Sequence, residues 1–211
     1  MRTLSIIALS VVMCMPPAAH CGPTSVYGPS ALGDSAFVRV VNAVAGGQPL
    51  AVSLGATRFE SVKYAEASPY RPVVPDIYLL RVSGLEREIV AKTKSYFTIV
   101  FTQRGIHVLE DVPHTDPARA QVFLYNFSSL PRLDLKTSDG KTSVIAGVQS
   151  GASGVTVVNA VAASLAVFGN GVLVTLLGDL GLRRGSSFSV FALGEDAPPL
   201  VFAVKAEVRV K

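Results

Sequence analysis

The chain has 211 residues, of which 49% are hydrophobic and 16% are charged, and its net charge at pH 7 is +4. This balance excludes an intrinsically disordered protein, which needs low hydrophobicity and high charge. Because the positive charge is thinly spread and contains no block of Lys and Arg, it also excludes a polybasic arm that binds nucleic acid. The 18 Gly and 13 Pro favour short strands joined by frequent turns.

Residues 1–21 have the layout of a secretory signal peptide. Arg2 comes before the apolar stretch Leu4–Met15, which is too short to span a bilayer, and Pro16-Pro17 then lead into small residues. We therefore expect cleavage before Gly22 and a mature protein in the periplasm, without a transmembrane segment.

Both cysteines lie in this leader. Removal of Cys14 and Cys21 would leave a mature chain without a disulfide, a thiol nucleophile or a thiolate metal site. A lipoprotein acylated at Cys21 is the alternative, but His20 stands where lipoproteins carry a small residue.

The rest of the sequence predicts an all-β protein. Runs of Val, Ile, Leu, Phe and Tyr alternate with Gly, Pro, Asn and Asp, and the apolar run 172–182 has too many glycines for a helix. The predicted strands are Ala36–Asn42, Leu50–Gly55, Ile77–Val82, Ser95–Phe101 and Ile106–Glu110, then Gln121–Asn126, Leu133–Lys136, Gly154–Val158, Ser164–Phe168, Ser186–Ala192 and Leu200–Val204.

The two sets of strands look like copies of one unit. FVRVVN (Phe37–Asn42) resembles VFLYN (Val122–Asn126), and SYFTIVF (Ser95–Phe101) resembles SSFSVF (Ser186–Phe191), in the same order along the chain. Repeated units of short strands are typical of tandem antiparallel β-sandwiches.

A polar segment separates the copies. Glu110–Ala120 contains Pro113 and Pro117 and few apolar residues, so we expect a short, stiff linker and an elongated molecule. The predicted domains are an N-terminal β-sandwich over 22–112 and a C-terminal β-sandwich over 118–211.

Several short motifs follow one another from the start of the mature chain. They are Tyr27-Gly28-Pro29, Gly33, Phe37-Val38-Arg39-Val40 and Asn42, then LKTSDGKT (Leu135–Thr142), VNAVAASLAVFG (Val158–Gly169) and LRRGSSFSVF (Leu182–Phe191). In this order they resemble the AlgF family of periplasmic alginate biosynthesis proteins over most of the chain. The apolar segment Gly171–Gly181 departs from the family.

The resemblance implies a protein required for O-acetylation of alginate, an anionic exopolysaccharide. We expect an adaptor that links acetyl-transfer proteins of the alginate machinery to each other or to the polymer. Two alternatives remain open, namely a direct acetyltransferase or acyl carrier that uses Ser35, and a plain polysaccharide-binding module.

Gly33-Asp34-Ser35 matches the first motif of the SGNH acyl-transfer enzymes, and Asp111 with His114 matches their Asp-x-x-His. That chemistry needs the serine on a strand-to-helix turn beside its base. Here Ser35 precedes a strand, so we interpret Asp34 and Ser35 as turn residues and expect no catalytic residue.

No cofactor or metal is expected either. Gly140-Lys141-Thr142 resembles the end of a P-loop, but Leu135 stands where that motif needs its first glycine. The mature chain has two histidines, His107 and His114, which are too few for a histidine-rich metal site.

Exposed aromatic and cationic residues are the candidates for contact with a sugar or a partner. Aromatic rings stack on sugar faces and arginine pairs with carboxylates, although burial of Tyr64 and Tyr70 in a sandwich is an open alternative. The candidates are Tyr27, Arg39, Tyr64, Tyr70, Arg71, Arg183 and Arg184.

Overall fold

The computed structural model describes residues 33–82, 84–196 and 198–210. The expected signal peptide and Tyr27 lie outside these residues. The described chain is built of strands, which confirms the all-β prediction.

The strands of the first half are β1 (Ala36–Asn42), β2 (Leu50–Leu54), β3 (Thr57–Val62), β4 (Glu66–Ala67), β5 (Arg71–Val73), β6 (Asp76–Val82), β7 (Leu85–Ala91), β8 (Tyr96–Thr102) and β9 (Gly105–Asp111). The strands of the second half are β10 (Ala120–Ser128), β11 (Arg132–Thr137), β12 (Ser143–Gln149), β13 (Ala152–Val158), β14 (Ser164–Gly169), β15 (Val172–Asp179), β16 (Ser187–Gly194) and β17 (Leu200–Lys205).

Each half of the chain has an inner sheet and an outer layer. The first inner sheet has the order β4-β1-β8-β9, with β5 also paired to β1, and the hairpins β2–β3 and β6–β7 form its outer layer. The second inner sheet has the order β13-β10-β16-β17, and its outer layer is the sheet β12-β11-β14-β15. A hydrophobic core fills the space between the two layers of each half.

The pairing at the centre of each inner sheet differs from the expected antiparallel sandwich. Strands β1 and β8 are parallel, and so are β10 and β16. Parallel neighbours need a long crossover connection, and here the intervening strands supply it by forming the outer layer. The remaining strand pairs are antiparallel.

The register confirms the internal repeat. Val38 pairs with Phe97 in the first half, and Val122 pairs with Phe188 in the second. The two inner sheets also share one strand order, in which β4 and β5 together take the place of β13.

The two halves pack against each other, so the expected elongated molecule on a linker is wrong. Alternate residues of a strand point to opposite faces of its sheet. One face of each inner sheet therefore enters its own core, and the other meets the opposite half in a third core of Val41, Ala43, Val100, Phe123, Tyr125, Phe127, Phe191 and Leu193. All nine residues of β10 are buried because both of its faces are covered. The domain boundaries themselves remain a prediction.

Several strands were missed by the sequence reasoning. β3 (TRFESV) buries Phe59 and Val62, β7 (LEREIVA) buries Ile89 and Ala91, and most of the other residues of both strands are exposed. A bulge in the β2–β3 pairing separates the two buried residues of β3 by three positions. The many charged residues and this irregular spacing hide the two-residue period by which a strand is recognised. The apolar run 172–182 contains β15, which confirms that it is not a helix.

Two buried asparagines repeat the same contacts in both halves. The Nδ2 atom of Asn42 donates to the carbonyl of Val62 in β3 at 3.0 Å, and that of Asn126 donates to the carbonyl of Val148 in β12 at 3.1 Å. Each Oδ1 also accepts from the backbone N–H two residues further on, at 2.9 and 3.2 Å. Each asparagine therefore ties an inner strand to the outer layer of its half.

We expect Asn42→Ala and Asn126→Ala to destabilise the protein, because a buried polar group without a partner costs about 1–3 kcal/mol. Asn126→Ala should lower the free energy of unfolding more, since its side chain also bonds the Leu130 carbonyl and the Ser128 hydroxyl. Equilibrium urea unfolding measures both. The exposed Asn159→Ala is the control, and equal losses in all three variants would contradict the structural role.

Candidate functional site

A buried ionic network lies between the two halves. Arg39 of β1 is 1% exposed and Asp111 at the end of β9 is 3% exposed. Two hydroxyls connect them. Thr98 Oγ1 accepts from Arg39 Nε at 2.8 Å and donates to Asp111 Oδ2. Tyr125 Oη accepts from Arg39 Nη2 at 2.9 Å and donates to Asp111 Oδ1 at 2.5 Å. Tyr70 Oη also donates to Asp111 Oδ2, at 2.7 Å.

Aromatic rings surround the guanidinium of Arg39. Its Cζ lies 4.6 Å from the centroid of Tyr70, 5.1 Å from that of Phe191 and 5.3 Å from that of Tyr125. Tyr125 and Phe191 belong to the second half and stack with centroids 4.5 Å apart. Arg39 of the first half is thus held in an aromatic cage supplied partly by the second, where a desolvated cation–π contact is strong.

Burial keeps the phenols of this network protonated. Burial raises the pKa of Tyr70 above its ordinary value of 10.0. Burial also raises the pKa of Tyr125 well above that value. Burial lowers the pKa of Arg39, but the attraction of Tyr125, Tyr70 and Asp111 outweighs it and the net shift is upward. The phenols therefore stay as donors to Asp111 while Arg39 stays charged.

Arg39 and Tyr70 are not the surface residues that the sequence suggested. Arg39 lies on the face of β1 that the second half covers, and Tyr70 is buried by the network and by the chain after β17. The alternative considered for Tyr70, that it is buried, is correct. Tyr64 is half-buried, with its hydroxyl near Gly194 of the other half.

The other candidate arginines occupy two separate places. Arg183 and Arg184 are exposed in the turn before β16. Arg71 of β5 lines an open cleft together with Arg209 and with Arg58, and the sequence reasoning did not single out Arg58. The structure does not bring the candidates together into one site.

The residues of the acyl-transfer motif have other roles in this fold. Ser35 lies directly before β1 and is 9% exposed. The Asp111 carboxylate is occupied by three hydroxyls, so it orients no histidine in the structure. His114 lines a cavity of about 180 Å³ between the halves together with Asp111 and Tyr70, and its Nε2 has no hydrogen-bond partner.

Over 33–82, 84–196 and 198–210, no group of three or more His, Cys, Asp or Glu side chains could hold a metal ion. Within the same ranges, no helix has the length and apolar character needed to cross a membrane.

A family model described as alginate O-acetyl transferase AlgF matches residues 7–189. The chain belongs to the AlgF family. The AlgF match includes all of β1 to β15 and so reaches across both halves. The resemblance seen in the sequence motifs is thereby confirmed.

Proteins named alginate biosynthesis protein AlgF are similar to this chain over most of their length. The one from Pseudomonas aeruginosa is 31% identical over 193 residues, which are 91% of this chain and 88% of that protein. The one from Pseudomonas putida is 30% identical over 171 residues, or 81% and 78% of the two chains. A solved structure of the C-terminal domain of AlgF from Pseudomonas aeruginosa is 32% identical, with a TM-score of 0.39, and covers 42% of this chain and 98% of that chain.

We expect Arg39→Met to lower the free energy of unfolding by about 3–5 kcal/mol, because it leaves the buried Asp111 without its cation. The double variant Arg39→Met with Asp111→Leu should recover part of that loss, since it removes both charges. Urea unfolding of the two variants provides the measurement. Arg184→Met at an exposed site is the matched control and should change stability by less than about 0.5 kcal/mol. A loss at Arg39 no larger than this control would contradict the role of the network.

Proposed function

We propose that this protein is a periplasmic accessory factor for the O-acetylation of alginate, and that it works as an adaptor between acetyl-transfer proteins. Membership of the AlgF family, whose relatives are named for alginate biosynthesis, supports the pathway. The layout of the expected signal peptide supports the compartment.

The hydrogen bonds of Asp111 support an adaptor rather than a catalyst. In a hydrolase-like triad the acid must hold the histidine that activates the nucleophile. Here Asp111 accepts hydrogen bonds from Tyr70, Thr98 and Tyr125 in a buried structural network. The acid that the motif offered therefore serves the packing of the two halves.

The outer layers supply surfaces that an adaptor could use. On the β6–β7 hairpin, Ile77 and Leu79 are 61% and 54% exposed, and on β15 Val172 and Leu176 are 68% and 62% exposed. Contiguous exposed apolar residues mark protein interaction surfaces. Because the halves pack through their inner sheets, these two apolar patches belong to opposite outer layers and could engage two proteins at once.

A mutant lacking the gene provides the test for catalysis when it is complemented with Ser35→Ala or His114→Ala. We expect alginate acetylation within about twofold of wild type, because loss of a nucleophile or base would lower it by several orders of magnitude. Acetyl content of the secreted polymer is the readout, with periplasmic abundance of each variant as its control. Loss of acetylation by Ser35→Ala at normal abundance would support the acetyltransferase alternative.

Chemical crosslinking in the periplasm, followed by purification of this chain, provides the test for adaptor function. We expect the wild-type chain to capture acetyl-transfer proteins of the alginate machinery. Ile77→Ser with Leu79→Ser, and separately Val172→Ser with Leu176→Ser, should each lower the capture of a different partner by about tenfold or more. Glu110→Ser, at an exposed position of β9 at the edge of the first inner sheet and outside both outer layers, is the matched polar control. Capture of no acetyl-transfer protein by the wild-type chain would contradict the adaptor.

A further inference from the structure

The outer layer of the first half is split between two of its strands. In the second half β11 and β14 are hydrogen-bonded neighbours, so the outer layer is one four-stranded sheet. The internal repeat matches β2 to β11 and β6 to β14. Over the described residues, however, β2 and β6 belong to two separate two-stranded sheets. One edge of β2 and one edge of β6 are therefore without the strand partner that their counterparts have.

The residue at one position of the repeat explains the split. Alignment of LAVSL in β2 with LDLKT in β11, and of IYLLRV in β6 with SLAVFG in β14, matches Leu50 to Leu133 and Val82 to Gly169. Leu133 and Gly169 pair across the second outer sheet. A Cβ atom on Gly169 would lie only 2.9 Å from Leu130 Cδ1, so the closed arrangement needs a residue without a side chain. Val82 carries a side chain at the matching position and cannot close the first outer layer in the same way.

The split opens onto an apolar pocket of about 740 Å³, within the usual size range of ligand sites. Its walls include Leu50 of β2, Val82 of β6 and Leu85 of β7, which all pack at the margin of the first core. Phe101 of β8, which is 1% exposed, also lines the pocket. In the second half, Leu130 packs against the corresponding core. The pocket therefore leads from the surface to the core of the first half only where the outer strands separate.

The split and the pocket together fit an extended peptide. A strand edge offers N–H and C=O groups that a further strand can pair with, and a pocket beside it selects one side chain of that strand. A hydrocarbon chain would use the pocket alone. The polar lining consists mainly of the uncharged Gln48, Thr102 and Gln103, and the one charged residue, Arg81, is paired with Glu86 at 2.6 Å. This lining favours a segment without charged residues.

We propose that the split binds an extended, uncharged segment of an acetyl-transfer protein. The segment adds as a strand to β2, where Leu50 and Ala51 line the pocket, and places one apolar side chain above Phe101. The site is continuous with the β6–β7 hairpin, whose exposed Ile77 and Leu79 lie on the outer face of the same layer. In naming the partner, the inference rests on the proposed adaptor function, and it adds the place and the mode of binding.

Site-specific photocrosslinking in cells provides the first test. The photoreactive amino acid p-benzoylphenylalanine replaces Gln48, an exposed residue of the pocket lining. We expect a crosslink to an acetyl-transfer protein that mass spectrometry maps to one short segment. Lys141, exposed in the turn between β11 and β12, is the matched control position. A crosslink from Gln48 no stronger than that from Lys141, or one to a second copy of this chain, would overturn the assignment of the site.

Binding of the mapped segment as a synthetic peptide, measured by calorimetry with the purified mature chain, tests the pocket. Leu85→Trp fills the pocket without leaving a cavity, so we expect it to weaken binding about tenfold or more. Val161→Trp, at an exposed position of the second half, should bind as wild type does. Equal binding by wild type and Leu85→Trp would overturn the role of the pocket.

Backbone N-methylation of the same peptide tests strand addition on the unaltered chain. Successive residues of a strand point their backbone groups to opposite edges. Methylation at alternate positions should therefore weaken binding about tenfold or more, while methylation at the intervening positions should change it less than about threefold. Loss of binding without this two-residue period would overturn strand addition.

The outcome separates from that of the adaptor proposal. If the chain captures acetyl-transfer proteins but none crosslinks from Gln48, the split is not the site and the adaptor stands. If a segment of an unrelated protein crosslinks from Gln48 and binds with the two-residue period, strand addition at the split is confirmed, while the named partner and the adaptor are wrong.

Discussion

Arg39 and Asp111 carry opposite charges in the interior, and two hydroxyls rather than a direct contact connect them. Taking such charges out of water costs several kcal/mol for each ion. The network offsets this cost only while Thr98 and Tyr125 stand between the charges and the aromatic cage surrounds the guanidinium. Because β1, β8 and β9 supply part of the network and β10 supplies Tyr125, these conditions are met in one arrangement of the two halves. Apolar packing favours contact between the inner sheets, and the network selects the register of that contact.

Tyr70 connects the buried network to the surface of the protein. Its hydroxyl belongs to the network, while its backbone N–H and carbonyl bond the chain after β17 and so place Arg209 beside Arg58 and Arg71. A shift of the second half against the first would therefore open the cleft as well as the core. The buried ionic network and the arginines of the cleft are therefore joined through Tyr70.

The strands with alternating or continuous apolar residues could be predicted from sequence, and so could the repeat, since Asn42 and Asn126 end matching strands and make matching contacts. The packing of the halves was missed, although β10 is apolar on both faces, which is the pattern of a strand covered on both sides. An arginine in a strand is usually exposed, so Arg39 was assigned to the surface. Its burial depends on partners 59 and 86 positions away along the chain, which no local pattern shows. The cleft could not be predicted for the same reason. Arg58 and Arg209 are far apart in the sequence and come together only where the two halves pack.

The repeat also explains how the faces of the molecule are divided between stability and interaction. A single β-sandwich would leave both of its outer faces to solvent, but here each half gives its inner-sheet face to the other. The positions that match Arg39 and Val41 in the second half are Phe123 and Tyr125, so the copies differ at the positions where they meet. The first half supplies Arg39 and one ring of the cage, Tyr70, and the second half supplies the other two rings, Tyr125 and Phe191. Because the inner sheets meet each other, the solvent-facing sides of the two outer layers are the broad faces left for contact with other molecules. Those outer layers are where the exposed apolar residues of β6 and β15 occur, on faces that neither core uses.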